Sequence, residues 1–498
     1  MPDTPTDPHH ERRWLILGVI AIAQLMVVLD ATIVNIALPS AQADLGFSDG
    51  NRSWIITAYA LPFGSLLLLG GRISDLFGRK RSFIVGLLGF AVASAIGGAA
   101  PSFGVLVGAR AAQGMFGALL APAALSLLAV TFTDPAERGK AFGIFGAIAG
   151  VGGSIGLLLG GVLTEVLDWR WCLYVSLLFA IPAAVAGSRL LHDVKSPNRP
   201  RLDLAGTATA TSGLLALVYG FSRAESSGWG DTLTLVMFAA AVVLLSAFVV
   251  LQRRVASPLL PLHIVLDRNR GGSYLAMVTA GIGIFGIFIF LTYYLQQTRG
   301  FTPIQTGLAF IPMNLAIITT SIVVNTRILA RTGPRPLIPT GMLFAGLGVA
   351  GLTRIGVDTA YASHVLPSLL VIGVAFGLVF APAFSGATAG VAPKDTGVAS
   401  AMVNTSQQVG GAIGTALLTT IVVSSTSNYI SDHGGPSAAV VREAAVHGYT
   451  VAFWISAAIF TAGAVMTRAL LLPGAVETAH APAARADGLE PAPAAAAH

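Results

Sequence analysis

Apolar stretches separated by short polar breaks run along nearly the whole chain. A helix needs about 20 apolar residues to cross the hydrocarbon core of a bilayer. Windows of that kind fall at 14–38, 54–73, 82–100, 104–130, 140–164, 170–191, 204–222, 231–251, 271–296, 304–329, 335–355, 363–389, 400–424 and 447–471. The pattern predicts fourteen transmembrane helices, an even count that puts both chain ends on one side. With the N-terminus in the cytoplasm, 22 of the 29 Lys and Arg residues fall in cytoplasmic segments. Only Arg52, Arg170, Arg223, Arg299, Arg354 and Arg442 then lie outside, and Arg110 lies within a span. The positive-inside rule thus places both termini in the cytoplasm and the chain in the inner (cytoplasmic) membrane.

Composition agrees. Of 498 residues, 54% are hydrophobic and 10% charged, against about 25% charged in a soluble protein. The expected fold class is an all-α integral membrane protein solvated mainly by lipid. The sequence pI of about 9.7 follows from the loop charges and implies no nucleic acid partner. A single cysteine, Cys172, excludes an intramolecular disulfide and a cysteine-based metal site. The first apolar run is too long for a cleaved signal, and many more follow. No GxxxxGK[ST] phosphate loop occurs, which argues against ATP drive. The nine histidines sit in tails, loops and span ends. No metal cluster or Ser/His/Asp set is expected at membrane depth, so an enzyme is disfavoured. A channel is disfavoured too, because no ring of repeated polar residues lines a plausible pore.

An internal repeat organises the chain. PAERGKAFGIFGAIAGVGGSIG (135–156) aligns with PKDTGVASAMVNTSQQVGGAIG (393–414) at an offset of 258. A weaker pair, GRISDLFGRKR (71–81) and TRILARTGPRP (326–336), matches Gly78 with Gly333 at an offset of 255. Repeated halves point to a secondary transporter with its substrate site near the midplane between them. The expected organisation is an N-tail (1–13), a six-helix half (14–191), an inserted helix pair (204–251), a second six-helix half (271–471) and a disordered Ala/Pro-rich tail (473–498). A Pro-rich basic segment, 195–203, links the first half to the inserted pair. That pair has no buried charge and is expected at the periphery, facing lipid.

Among 23 acidic residues, only Asp30 falls well inside a span. An acid there costs roughly 2.5–3.5 kcal/mol on insertion scales and marks a functional site by default. Arg110 is the one intramembrane base, so the two are expected to pair. Gln113 and Gly114 share its helix face, and small residues continue that face so that another helix can approach. In GRISDLFGRKR, Gly71 permits close approach and Gly78 a tight turn. Asp75 and Arg79 are four apart and can pair, or Asp75 can face the N-terminus of a neighbouring helix. The alternative is a basic loop, Arg72 and Arg79 included, that only fixes orientation.

GRISDLFGRKR resembles the signature loop between spans 2 and 3 of the major facilitator superfamily. LDATIVNIALP, around Asp30, is similar to the first-span signature of its fourteen-span drug:proton antiporters, the EmrB/QacA type. LVGARAAQGMFGA (106–118) and YYLQQTRGFTPIQTGLAFIP (293–312) resemble the same subfamily, so the likeness covers 14–471. It implies the major facilitator fold and a proton-coupled multidrug efflux transporter. Such a protein exports lipophilic drugs or antibiotics by alternating access, without cofactor or metal, driven by the proton gradient. It further implies that Arg110 takes part in proton transfer or gating; the alternative is a buried pair that holds spans 1 and 4 together. Desolvation favours a protonated acid and a nearby arginine an ionised one. An acid whose burial and pairing change between inward- and outward-open states therefore couples proton affinity to conformation.

In GVGGSIGLLLGG (150–161), Gly152, Gly156 and Gly160 form a stripe at spacing four. The antiporter motif it resembles has proline after the middle glycine, where this chain has Leu157. Gly410 and Gly414 repeat the stripe in span 13, also without proline. Ordinary close packing and a gating hinge both fit. For the substrate cavity, Gln24 and Asn35 share a face of span 1. Tyr59, Phe63, Gln113, Tyr293, Asn314, Asn404 and Gln408 are further polar or aromatic candidates, each equally suited to helix–helix packing. Dication exporters of the family often carry a second acid, whereas span 10 offers Asn314. The expected cargo is accordingly monocationic, neutral or zwitterionic. A monomer is expected, and the short external loops demand no periplasmic adaptor. Export of an endogenous metabolite, such as a self-made antibiotic, and a non-transporting membrane sensor are the alternatives.

Overall fold

With no water in the bilayer core, backbone N–H and C=O groups must pair within their own segment, and the apolar windows do so as helices. The computed structural model describes residues 8–47, 49–191, 203–433 and 435–472. Its long helices are α1 (Pro8–Leu45), α2 (Asp49–Phe77), α3 (Arg79–Gly98), α4 (Phe103–Thr131), α5 (Pro135–Val166), α6 (Trp171–Leu190), α7 (Leu204–Ser227) and α8 (Thr232–Gln252). They continue as α9 (Arg268–Tyr293), α10 (Pro303–Val323), α11 (Pro334–Leu352), α12 (Leu366–Thr388), α13 (Thr396–Asp432) and α14 (Ala438–Leu470). Each predicted window has its helix, and thirteen helices are long and apolar enough to cross a membrane among the described residues. Several helices outrun their windows. α13 has 37 residues because a hydropathy window measures only the hydrocarbon layer, while the helix continues into the polar boundary. The segments 1–7, 195–202 and 473–498 lie outside the described residues, as do the side chains of Asn35 and Leu157.

Side-chain caps start several helices. Asp203 accepts from Gly206 N at the head of α7, Asp231 from Thr234 N at α8, and Thr302 forms a capping box with Gln305 at α10. Each satisfies backbone donors that a helix start leaves free. The repeat-related Gly78 (φ 102°) and Gly333 (φ 71°) both turn the chain in the left-handed region that glycine tolerates.

Helices α1–α6 pack on one another, chiefly α2 and α3 on α4 and α1 on α5 and α6. Helices α9–α14 do likewise, with α9 on α13, α10 on α12 and α11 on α12 and α14. Between the two groups, α5 lies against α10 and α12, and α2 against α13. Helix α7 contacts α2, α13 and α8. The central window of α8 is only 17% buried, the lowest of the spans.

The glycine stripes are close-packing seats. A Cβ on Gly156 would sit 2.0 Å from Thr32 Oγ1, and one on Gly160 2.9 Å from Ile33 O, both on α1. In the second group, Gly410 and Gly414 meet Val278 O and Ile282 O of α9 at 2.2 and 2.5 Å from the same construction. Gly152 adjoins Val28, so the α5 stripe brackets Asp30 on α1.

Candidate functional site

Asp30 in the middle of α1 and Arg110 in α4 meet inside the first helix group, 1% and 2% exposed. Arg110 Nη1 donates to Asp30 Oδ2 at 2.6 Å and to Gln113 Oε1 at 2.8 Å, and Nε donates to Ile55 O at 3.4 Å. Gln113 Nε2 donates to Asp30 Oδ1 at 2.9 Å and to Ser94 Oγ on α3 at 2.8 Å. The Ser176 side chain of α6 lies near the carboxylate. The Arg110 guanidinium lies 4.4 Å from the centroid of the Tyr59 ring, and that ring stacks on Phe63 at 5.4 Å. Buried charges survive only where pairing and hydrogen bonds replace water, and this network supplies both.

Small residues put the ring there. A Cβ on Gly114 would meet Tyr59 O at 2.2 Å, and one on Gly117 would meet the Phe63 ring at 3.0 Å. One face of α4 therefore carries the charge, its amide partner, and the gaps that seat α2 over both. If Asp30 is neutralised, the guanidinium keeps Gln113 Oε1, Ile55 O and the Tyr59 face as partners.

A second polar assembly closes the end of the molecule at which α1 begins. Asp75 near the end of α2 accepts from Gly397 N at 3.0 Å and Val398 N at 3.2 Å, the first turn of α13. These are orphan donors at the positive end of the helix dipole. Arg79 Nη2 lies 3.5 Å from Asp75 Oδ1, and Arg72 Nη1 lies 3.7 Å from Asp395 Oδ1. The backbones touch beside them: a Cβ on Gly71 would be 2.6 Å from Gly397 O, and one on Gly397 2.5 Å from Gly71 O. At the same end, Arg138 Nη1 donates to Ala129 O at 3.0 Å and Nη2 to Thr388 Oγ1 of α12 at 2.8 Å.

The cavity candidates separate. Tyr59, Phe63 and Gln113 belong to the ion-pair network, not to an open cavity. Gln24, Asn314 and Asn404 are buried, and Asn404 Nδ2 donates to its own helix at Ser400 O. Gln408 lies beside Gly64 of α2. Tyr293, at the end of α9, is 46% exposed and apart from the rest. Sequence reasoning missed Ser94, Ser176, Asp395 and the Arg138–Thr388 bridge. A signal existed for Asp395 alone. It is the repeat equivalent of Glu137, which pairs with Arg13, so each copy opens on an acid that takes an arginine.

The family profile described as Major Facilitator Superfamily matches residues 20–415. The puromycin resistance protein of Streptomyces alboniger is 52% identical over 92% of this chain and 92% of its own length. The cephamycin export protein of Amycolatopsis lactamdurans is 39% identical over 81% of this chain and 84% of its own. In fold, the chain is similar to the proton:xylose symporter XylE, with a TM-score of 0.64 at 16% identity, covering 94% of this chain and 98% of that one.

Proposed function

The chain belongs to the major facilitator superfamily, and we propose on that footing that it exports lipophilic drugs or antibiotics across the cell membrane in exchange for protons. The observation that carries the exchange is the Asp30–Arg110 pair. It is a titratable acid at membrane depth, with a guanidinium that has other partners once the acid is neutral. A proton from the external water binds Asp30, and the same proton leaves to the cytoplasm after the conformational change.

The groups 14–191 and 271–471 act as the two halves that rock about the substrate. The loop charges support a cytoplasmic position for both termini. The Asp75–α13 seam is then the cytoplasmic closure. Breaking the seam opens the inward-facing state. Gly71, Arg72, Asp75, Gly78 and Arg79 serve that closure, and Gly152, Gly156, Gly160, Gly410 and Gly414 keep α1 and α9 tightly seated while it works.

The relatives' names support an antibiotic cargo, and the absence of a second acid at Asn314 favours a monocationic, neutral or zwitterionic one. Puromycin is the first compound to test, because the relative that resists it is about half identical. Neither cofactor nor metal is needed, and the protein acts as a monomer and not as an enzyme. The test compares wild type with Asp30→Asn at matched membrane abundance in a host stripped of its own pumps. Wild type raises puromycin tolerance, and Asp30→Asn and an uncoupler both abolish the gain. Equal protection by both proteins refutes the coupling role of Asp30. Protection by neither refutes export of puromycin and brings export of another compound, of an endogenous metabolite, or sensing forward. Relatives named for resistance to or export of particular antibiotics also support export of a self-made antibiotic, which deletion in the native host would expose as intracellular accumulation.

A further inference from the structure

The inserted pair α7–α8 lies along the seam between α2 and α13 and is joined to both at each end. Where α2 and α13 touch, Leu68 of α2 and Val398 and Ala401 of α13 share one apolar cluster with Ala210 and Leu214 of α7 and Phe248 of α8. Asp203 Oδ2 accepts from Gln252 Nε2 at 2.7 Å and so locks the foot of the pair.

Farther along, α7 and α13 both stand beside α2. A Cβ on Gly64 would meet Val218 Cγ2 at 3.7 Å and Gln408 Cβ at 3.9 Å. Thr57 and Ser222 hydroxyls are 3.2 Å apart, and the Trp54 and Tyr219 rings 6.3 Å apart. At the hairpin tip, Trp229 Nε1 donates to Thr420 Oγ1 of α13 at 2.8 Å. That indole is held by Phe238, stacked at 5.9 Å, and by Phe221 at 6.1 Å. Arg223 Nε donates to Asp231 Oδ2 at 2.7 Å across the same turn.

A tryptophan at a helix end is commonly a plain interfacial anchor. This one spends its N–H on a different helix, and two aromatic rings aim it there. The helices of the pair also differ in their surroundings. The window of α8 has mean hydropathy 2.7 and is 17% buried; that of α7 has 1.3 and is 39% buried. Val242 and Val243 of α8 are each 66% exposed. Helix α8 therefore meets lipid, while the more polar α7 is packed against it and against α2 and α13 at the seam.

We propose that the inserted pair is a lateral seal that keeps bilayer lipid out of the gap between α2 and α13 while the protein is closed at its α1-start end. A lipophilic cargo released into a cavity open sideways would repartition into the membrane it came from. A sealed flank directs it to water. The Trp229–Thr420 contact is the latch that must part when the two helix groups rock, because α7 keeps its broader contact with α2.

The test places a cysteine at Gly64, where a Cβ meets only ordinary contacts, in a Cys172→Ser background. Val242→Cys in the same background is the lipid-exposed control. Both are reacted in native vesicles with a long-chain N-alkylmaleimide and, separately, a charged maleimide. The Gly64→Cys thiol is expected to react with the alkyl reagent far more slowly than the Val242→Cys thiol. Adding Val218→Ala with Trp229→Ala raises that rate about tenfold, the local opening expected from losing one hydrogen bond and its packing. The charged reagent reports fold integrity and is unaffected. Equal alkyl rates at the two sites, or no acceleration in the doubly substituted protein, overturn the seal. A rise with both reagents alike shows general loosening and overturns it too.

Discussion

Gly71→Ala adds one methyl group where α2 and α13 touch. The new Cβ would lie 2.6 Å from Gly397 O, 2.8 Å from Ala401 Cβ and 3.0 Å from Gly397 C. Carbon atoms prefer about 3.5–4.0 Å, and two of the three obstacles are backbone, so the helices must part by about 1 Å. The Asp75 bonds to Gly397 N and Val398 N, at 3.0 and 3.2 Å, then stretch to about 4 Å, beyond hydrogen-bond range. Bonds to a charged group are worth about 1.5–3 kcal/mol each. Entering water recovers part of this, leaving a net loss of about 3 kcal/mol, or about 100-fold in the ratio of closed to parted seam. The parted state has no such clash and bears no cost. Spin labels at Phe77, 65% exposed, and at exposed Lys394 flank the seam. In Cys172→Ser protein in nanodiscs, double electron–electron resonance should show a short distance in the parent and a longer one in Gly71→Ala. Export should fall with it. Gly108→Ala, with nothing within 4 Å, is the neutral control. An unchanged distance distribution in Gly71→Ala, with export intact, would falsify the reading of this seam as the closure.

Arg110→Ala leaves Asp30 buried without its cation and should cost about 3–5 kcal/mol of stability, seen as a lower thermal midpoint in detergent. Adding Asp30→Asn should recover much of that loss, and strict additivity of the two substitutions would show that the groups are not coupled. Gly156→Ala drives a Cβ to 2.0 Å from Thr32 Oγ1 with Leu29 O behind it, an overpacking cost of about 1–3 kcal/mol. Its neighbour Gly153→Ala meets nothing closer than 3.7 Å and should leave the midpoint unchanged. Equal shifts for these two would remove the close-packing explanation of the stripe.

The sequence by itself determined the spans and the ion pair, because the bilayer leaves few choices. Backbone groups must pair within a segment, so apolar runs of fixed length become helices. With one acid and one base at depth, Asp30 and Arg110 had no other charged partner. A helix N-terminus as partner for Asp75 was also legible, from the chemistry of a carboxylate at a loop. Which helix answered was not: Gly397 lies 322 residues away, and contacts at that separation depend on how the helix groups assemble. Ser94 and Ser176 carried no signal, since a serine in a span commonly bonds its own preceding turn. Tyr293 and Gln113 looked alike as polar groups in apolar helices, yet one is exposed at a helix end and the other joins the buried pair. Hydropathy ranked α7 and α8 both as spans. Only tertiary packing decided that α8 meets lipid while α7 is pressed into the seam, because burial of one helix face is settled by its neighbours and not by its own composition.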